Sequence, residues 1–80
     1  MDNKIKALIG VGASVAANCQ PCLTFHIEKA TESGADDKEV TMAIEVAKSV
    51  RAGAANSMDT FAETATGKAG SSSTCSGCRC

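Results

Sequence analysis

An all-α fold, a small bundle of three to four helices assembled as an oligomer, is what this sequence predicts, and three observations carry the prediction. Apolar residues recur at three- and four-residue spacing along most of the first 66 positions, and no stretch shows the strict alternation of a half-buried strand. No internal repeat is present. The third observation is a shortage of bulky core residues: the 80-residue chain has no Trp, no Tyr and only Phe25 and Phe61. A chain of this length buries only about 60% of its unfolded surface, so Ala- and Val-rich helix faces are expected to bury against a second copy.

The first helix is expected from about Asn3 to Ala17, because Ile5, Leu8, Ile9, Gly12, Val15, Ala16 and Cys19 share one face. Asn18 then suits an N-cap, with Pro21 in the first turn of a second helix, where its missing N–H removes no intrahelical bond. That helix continues through Leu23, Phe25, Ile27 and Ala30, and Ser33-Gly34 supplies its stop. Asp36-Asp37-Lys38-Glu39 has the form of a capping box. It opens a third helix with Val40, Ala43, Ile44, Ala47 and Val50 as its apolar stripe, and with Lys48 and Arg51 at the negative pole of its end. Gly53 marks a break, after which a short fourth helix through Met58, Phe61, Ala62 and Ala65 ends at Gly67. Residues 1–66 therefore form the domain. Residues 67–80, GKAGSSSTCSGCRC, read as a flexible Ser/Gly/Cys-rich tail.

Charge and hydropathy exclude several function classes. Eight basic and nine acidic residues give a formal net charge of -1, which attracts neither nucleic acid nor a membrane surface. The longest apolar stretch, Ala7 to Ala17, is about eleven residues and is interrupted by Gly10, Gly12 and Ser14, whereas a membrane span needs about twenty. Lys4 and Lys6 ahead of it imitate a signal peptide, but cleavage at Ala16-Ala17 would cut the helix leading to Cys19. A cytoplasmic location is expected.

Five cysteines is a high and odd count, and they fall in two clusters with helical intervals rather than in a loop-rich disulfide framework. Residues 18–26, NCQPCLTFH, bring Cys19, Cys22 and the sole histidine, His26, to positions i, i+3 and i+7 of one helix. Cysteines in a first turn face unpaired backbone N–H groups and the positive end of the dipole, which favours thiolate. Residues three apart on a helix also have Cα atoms roughly 5 to 6 Å apart, within disulfide range. Because an imidazole titrates near neutral pH, His26 can take or return a proton. The pattern thus points to Cys22 as attacking thiol, Cys19 as resolving thiol and His26 as the proton-handling group. Zinc competes for the same three residues, which are ligands of suitable type.

The run SVAANCQPCLTFHIEKATESGADDKEVTMAIEVAKSVRAGAANSMDTFA resembles the alkylhydroperoxidase D-like branch of the carboxymuconolactone decarboxylase superfamily, whose signature is C-x-x-C-x-x-x-H followed by a helix, a Gly-Ala turn and a capped acidic helix. The resemblance covers about residues 5 to 66. It implies an all-helical oligomer in which the dithiol reduces peroxides or exchanges electrons with protein partners, with Cys22 matching the peroxide-attacking thiol and Cys19 and His26 completing the motif. Two positions depart from the pattern. Members that are good peroxidases carry a glutamate twelve residues before the first cysteine, where Ala7 stands, and some carry a histidine immediately before the second, where Pro21 stands. Glu28 and Glu32 lie downstream and read as solvated helix surface. Disulfide exchange needs only the thiols and a nearby base, so it is expected over efficient peroxide reduction.

Outside the resemblance, Cys75, Cys78 and Cys80 form C-x-x-C-x-C. Three soft thiolates at this spacing can bind Zn(II), Cu(I) or another thiophilic ion, act as a second dithiol that reaches Cys19 and Cys22, or be incidental thiols. Three functions follow from the cysteines: a thiol-disulfide oxidoreductase or weak peroxidase, a thiophilic-metal protein using the tail with or without the core pair, and a helical oligomerisation module whose cysteines report redox state. The first needs no cofactor, a protein or small-thiol reductant, and a peroxide or disulfide substrate.

Overall fold

A computed structural model describes residues 1–67 of the chain as three helices: α1 (Asn3–Ala16), α2 (Gln20–Glu32) and α3 (Asp37–Thr66). Among the described residues there is no strand. The Asp2 side chain caps α1 by accepting from the Lys4 amide at 3.1 Å. The anticipated capping box opens α3, with Asp36 accepting from the Glu39 amide at 2.9 Å and the Glu39 carboxylate accepting from the Asp36 amide at 3.1 Å.

Both interhelical turns use one device. At the end of α2, Gly34 adopts a left-handed φ of 99°, its amide bonds to Thr31 O, and the Ala35 amide reaches back to Ala30 O. At the end of α1 the same double bond pattern recurs around Asn18 at φ 59°, with its amide on Val15 O and the Cys19 amide on Ser14 O. These are paired C-terminal closures of the Schellman type. Asn18 is therefore the left-handed residue that closes α1, and Cys19, not Asn18, is the N-cap of α2. Asparagine tolerates both positions because its short side chain suits either backbone, so sequence alone favoured the commoner N-cap.

The expected break at Gly53 does not occur. α3 runs unbroken for 30 residues and stops at Gly67, which closes it at φ 75°. A glycine inside a helix costs about 1 kcal/mol relative to alanine, and Ala52, Ala54 and Ala55 around it are the strongest helix formers. Three helices stand where three to four were expected. Lys48 and Arg51 consequently lie in mid-helix; Lys48 pairs with Glu45 at 3.5 Å, and Arg51 serves a different helix.

α1 is the central element, packed against α2 on one side and α3 on the other, while α2 and α3 touch little. Lys4 meets Glu39 at 3.1 Å near the start of α1 and α3, and Arg51 meets Val15 O near the end of α1, so these two helices run parallel, and α2 runs back antiparallel on the other side of α1. α3 passes close to α1 at Gly12, where a Cβ would make ordinary contact with Ala43 O at 3.5 Å and Ala47 Cβ at 3.8 Å. The core is Ala7, Val11, Ala30 and Ala35, walled by Leu8, Leu23, Ile27, Val40, Ala43 and Ile44. Val11 alone among larger side chains is fully buried. The Glu39 hydrogen bond and charge hold Lys4 above its ordinary value of 10.5. A raised pKa in the folded state means that its stabilising contribution is present below that value and is lost as pH climbs past the folded one.

Beyond Arg51, α3 has left its neighbours behind. The face that carries Val40, Ile44, Ala47 and Arg51 continues at helical spacing through Ala54, Met58, Phe61 and Ala65, yet Met58 and Phe61 are 63% and 65% exposed. The molecule is 50 Å long and only 21 and 18 Å across, a length set by the roughly 45 Å of a 30-residue helix. No helix among the described residues is long and apolar enough to cross a membrane.

Because one valine is the centre of so thin a core, Val11→Ala is expected to cost about 2 kcal/mol, two methyl groups plus the cavity they leave. Urea unfolding followed by far-UV circular dichroism checks this through the transition midpoint.

Candidate functional site: a dithiol at the start of α2

The hand-over from α1 to α2 places the cysteines. Cys19 contributes its amide to the closure of α1, while its side chain turns to cap α2: the Cys22 amide donates to Cys19 Sγ at 3.3 Å. Pro21 occupies the first turn, where the helix has no use for its missing N–H. One turn separates the two cysteines, with Cα atoms 5.3 Å apart, and they are joined as a disulfide. That spacing is the one anticipated from the sequence. Cys19 is half-buried and Cys22 exposed, so the pair presents its second sulfur to solvent.

His26 sits one turn further along α2 and faces α1. Its ring lies on the backbone of Gly10: a Cβ at that position would come within 2.5 Å of Nδ1, 2.8 Å of Cγ and 2.9 Å of Cε1. Real Cβ atoms do not approach so closely, so Gly10 is a seat that only glycine provides. Phe25 meets the imidazole edge-on, with centroids 5.0 Å apart and planes at 82°, and itself carries Lys29 Nζ 5.4 Å above its ring. Ser14, one turn after Gly10, is buried and donates to Gly10 O at 2.7 Å. Sequence reasoning counted Gly10 only as an interruption of an apolar stretch; the separation of sixteen positions between it and His26 hides the contact.

The third helix reaches the same corner. Arg51 Nη1 donates to Val15 O at 3.0 Å and to Asn18 Oδ1 at 2.9 Å. α1 has no basic residue in its own last turn, and a guanidinium from α3 stands at its negative pole instead.

Other sequence candidates separate from this corner. Ala7, at the position of the relay glutamate, is buried in the core. Glu28 and Glu32 are exposed, and Glu32 pairs with Lys29 at 3.6 Å. Among the described residues no three His, Cys, Asp or Glu side chains are grouped so as to hold a metal ion, which leaves the zinc alternative for Cys19, Cys22 and His26 without geometric support. Cys75, Cys78 and Cys80 lie outside the described residues. A shallow depression at the start of α3, lined by Asp37, Lys38, Thr41, Met42 and Glu45, is at the opposite end of α1 from the dithiol.

Gly10→Ala is expected to push the imidazole off α1 and to destabilise the fold by about 1 to 3 kcal/mol, the usual range for overpacking. His26 is the only histidine in the chain, so its ring resonances in a proton NMR spectrum report the displacement without assignment ambiguity.

The chain is similar to known proteins. A curated protein of Paracoccus denitrificans named "Uncharacterized protein 4 in cox locus" is 36% identical over 55 residues, which is 69% of this chain and 50% of that protein. The chain thus spans about half the length of this relative. No solved structure matches. The profile of the carboxymuconolactone decarboxylase family, which takes in the alkylhydroperoxidase D-like branch, matches residues 1–65. With its three-helix fold and most of its length covered, the chain belongs to the carboxymuconolactone decarboxylase family.

Proposed function

We propose that this chain is a thiol-dependent redox protein, acting by thiol-disulfide exchange and weakly on peroxides through Cys19 and Cys22, with His26 handling the proton. The observation that carries the reading is the position of Cys19 Sγ as the N-cap of α2, bonded by the Cys22 amide at 3.3 Å. An amide aimed at sulfur and the positive end of a helix both favour thiolate over thiol.

The reaction divides between the two sulfurs by exposure. In the reduced protein the exposed Cys22 thiolate attacks one sulfur of a substrate disulfide, forming a mixed disulfide and expelling the other sulfur as a thiolate. Cys19 then attacks Cys22 Sγ, the internal disulfide forms, and the second substrate sulfur leaves. Two electrons pass to the substrate, whose thiolates take up the two protons given up by Cys19 and Cys22, with His26 as the carrier one turn away. With a peroxide, Cys22 becomes a sulfenic acid as the O–O bond breaks and an alcohol leaves, and Cys19 displaces water from it. Ala7, buried in the core, provides no carboxylate for a proton relay, which keeps this second reaction slow. A protein or small-thiol reductant resets the pair by the reverse exchange. No cofactor takes part.

The reading extends to a homo-oligomer. The apolar stripe of α3 that continues past Arg51 has only Asp59 and Glu63 as charged neighbours, and it prolongs a core face rather than a surface one. A second copy of the same helix is the cover that matches it in length and polarity. A cytoplasmic protein with no nucleic-acid or membrane partner fits the charge and hydropathy of the chain.

Alkylation of the reduced, metal-free protein against pH, with mass spectrometry assigning each cysteine, tests the dithiol. Cys19 or Cys22 is expected to react at a pH well below the free-thiol value of about 8.5, while Cys75, Cys78 and Cys80 follow the free-thiol curve; five coincident curves would sink the redox reading. For the assembly, the double substitution Met58→Asp and Phe61→Asp is expected to convert an oligomer to a folded monomer in sedimentation equilibrium. A wild-type protein that sediments as a monomer at tens of micromolar would contradict it.

A further inference from the structure

We infer that Arg51 is a positioning residue for the dithiol: reaching over from α3, it holds the turn that carries Cys19 and sets the balance between the open and closed forms of the Cys19–Cys22 pair. The inference deepens the redox reading and rests on it.

Geometry comes first. A single nitrogen of Arg51 bridges Val15 O at 3.0 Å and Asn18 Oδ1 at 2.9 Å, and Asn18 immediately precedes Cys19. Those two acceptors bracket the closure of α1. Val15 O also receives the Asn18 amide at 3.1 Å, and the next amide, that of Cys19, is fixed on Ser14 O at 2.9 Å. With Asn18 in the left-handed region, at φ 59°, the chain changes direction within one residue and delivers Cys19 Sγ to the Cys22 amide. Arg51 clamps this reversal from 33 and 36 positions away and links α3 to the corner.

Electrostatics gives the clamp a redox consequence. The dithiol stands where two helix ends of opposite sign meet, the positive start of α2 and the negative end of α1. The start of α2 favours a thiolate on Cys19; the end of α1 opposes it. Since α1 has no cation in its last turn, Arg51 is the charge that offsets the opposing pole. The reduced, thiolate-bearing form therefore gains more from Arg51 than the closed disulfide does.

The experiment equilibrates the full chain with mixtures of glutathione and glutathione disulfide. Two protein thiols and one glutathione disulfide go to one protein disulfide and two glutathiones, and mass spectrometry of trapped thiols reads the fraction at Cys19 and Cys22. Arg51→Gln is expected to shift this equilibrium about fivefold toward the disulfide, the size expected when a partly exposed charge-assisted bond is lost, and to move alkylation of the pair to higher pH. Arg51→Lys, which keeps the charge, is expected to recover part of both shifts. Asn18→Gly removes one acceptor while placing at φ 59° the residue that adopts it most readily; it is expected to shift the equilibrium in the same direction with no fall in melting temperature. A purely structural arginine behaves otherwise: Arg51→Gln lowers the melting temperature and leaves the equilibrium and alkylation profile unchanged, which overturns the inference. If Arg51→Gln does not fold, Asn18→Gly decides by the same criterion. Failure of the redox reading itself shows separately, as a wild-type dithiol whose alkylation curve coincides with that of the tail cysteines.

Discussion

The seat of His26 on Gly10 is the constraint from which the rest of this structure follows. Gly10 takes the His26 ring of α2 against bare backbone, while on the other side of α1 a Cβ at Gly12 would make only ordinary contact with Ala43 O and Ala47 Cβ of α3. Two positions apart on a helix is about 200° of rotation, so one short segment meets a neighbour on each side. In a chain with almost no aromatic residues, closeness replaces bulk. Dispersion falls off steeply with separation, and helices lined by Gly, Ala and Ser gain it by approaching rather than by interleaving large side chains. The result is a core with one fully buried valine at its centre and alanines around it.

Local chemistry was legible in the sequence, and distant chemistry was not. The span of α1, the capping box at Asp36 and Glu39 and the stop at Gly67 each depend on residues within four positions of one another, and each stands as read. Gly53 misled because its intrinsic cost is real but smaller than the helix preference of the alanines flanking it. Asn18 misled because one residue type serves two adjacent backbone roles. Cys19 and Cys22 were placed to within the spacing of a disulfide because both lie in a single helical turn. The seat of His26 on Gly10 and the reach of Arg51 to Asn18 span sixteen and thirty-three positions; no periodicity encodes such contacts, since they depend on how α1 lies between its neighbours.

The parallel run of α1 and α3 also explains why α3 is twice as long as the helices it packs with. α1 and α3 start together, at the Lys4–Glu39 pair, and α1 ends at the level of Arg51. Beyond that level α3 packs against no other helix among the described residues, although its apolar spacing does not change. An isolated helix of that length is marginal in water, and cover for the continuing stripe is what the proposed oligomer would supply.

The hand-over at Cys19 leaves no slack between α1 and α2. One residue ends the first helix with its amide and begins the second with its side chain, so the two helices share a register instead of being joined by a linker. Lengthening the chain by a single residue ahead of Asp2 would leave every later contact in phase, because only the outer start would shift. The same insertion between Gly12 and Asn18 would rotate the closure, the cysteine pair and the whole of α2 by about 100° relative to Gly10, and the imidazole would lose its seat. By this geometry added length is accommodated at the outer start of α1 and in α3 beyond Arg51, while the stretch from Gly10 to His26 behaves as one inextensible unit.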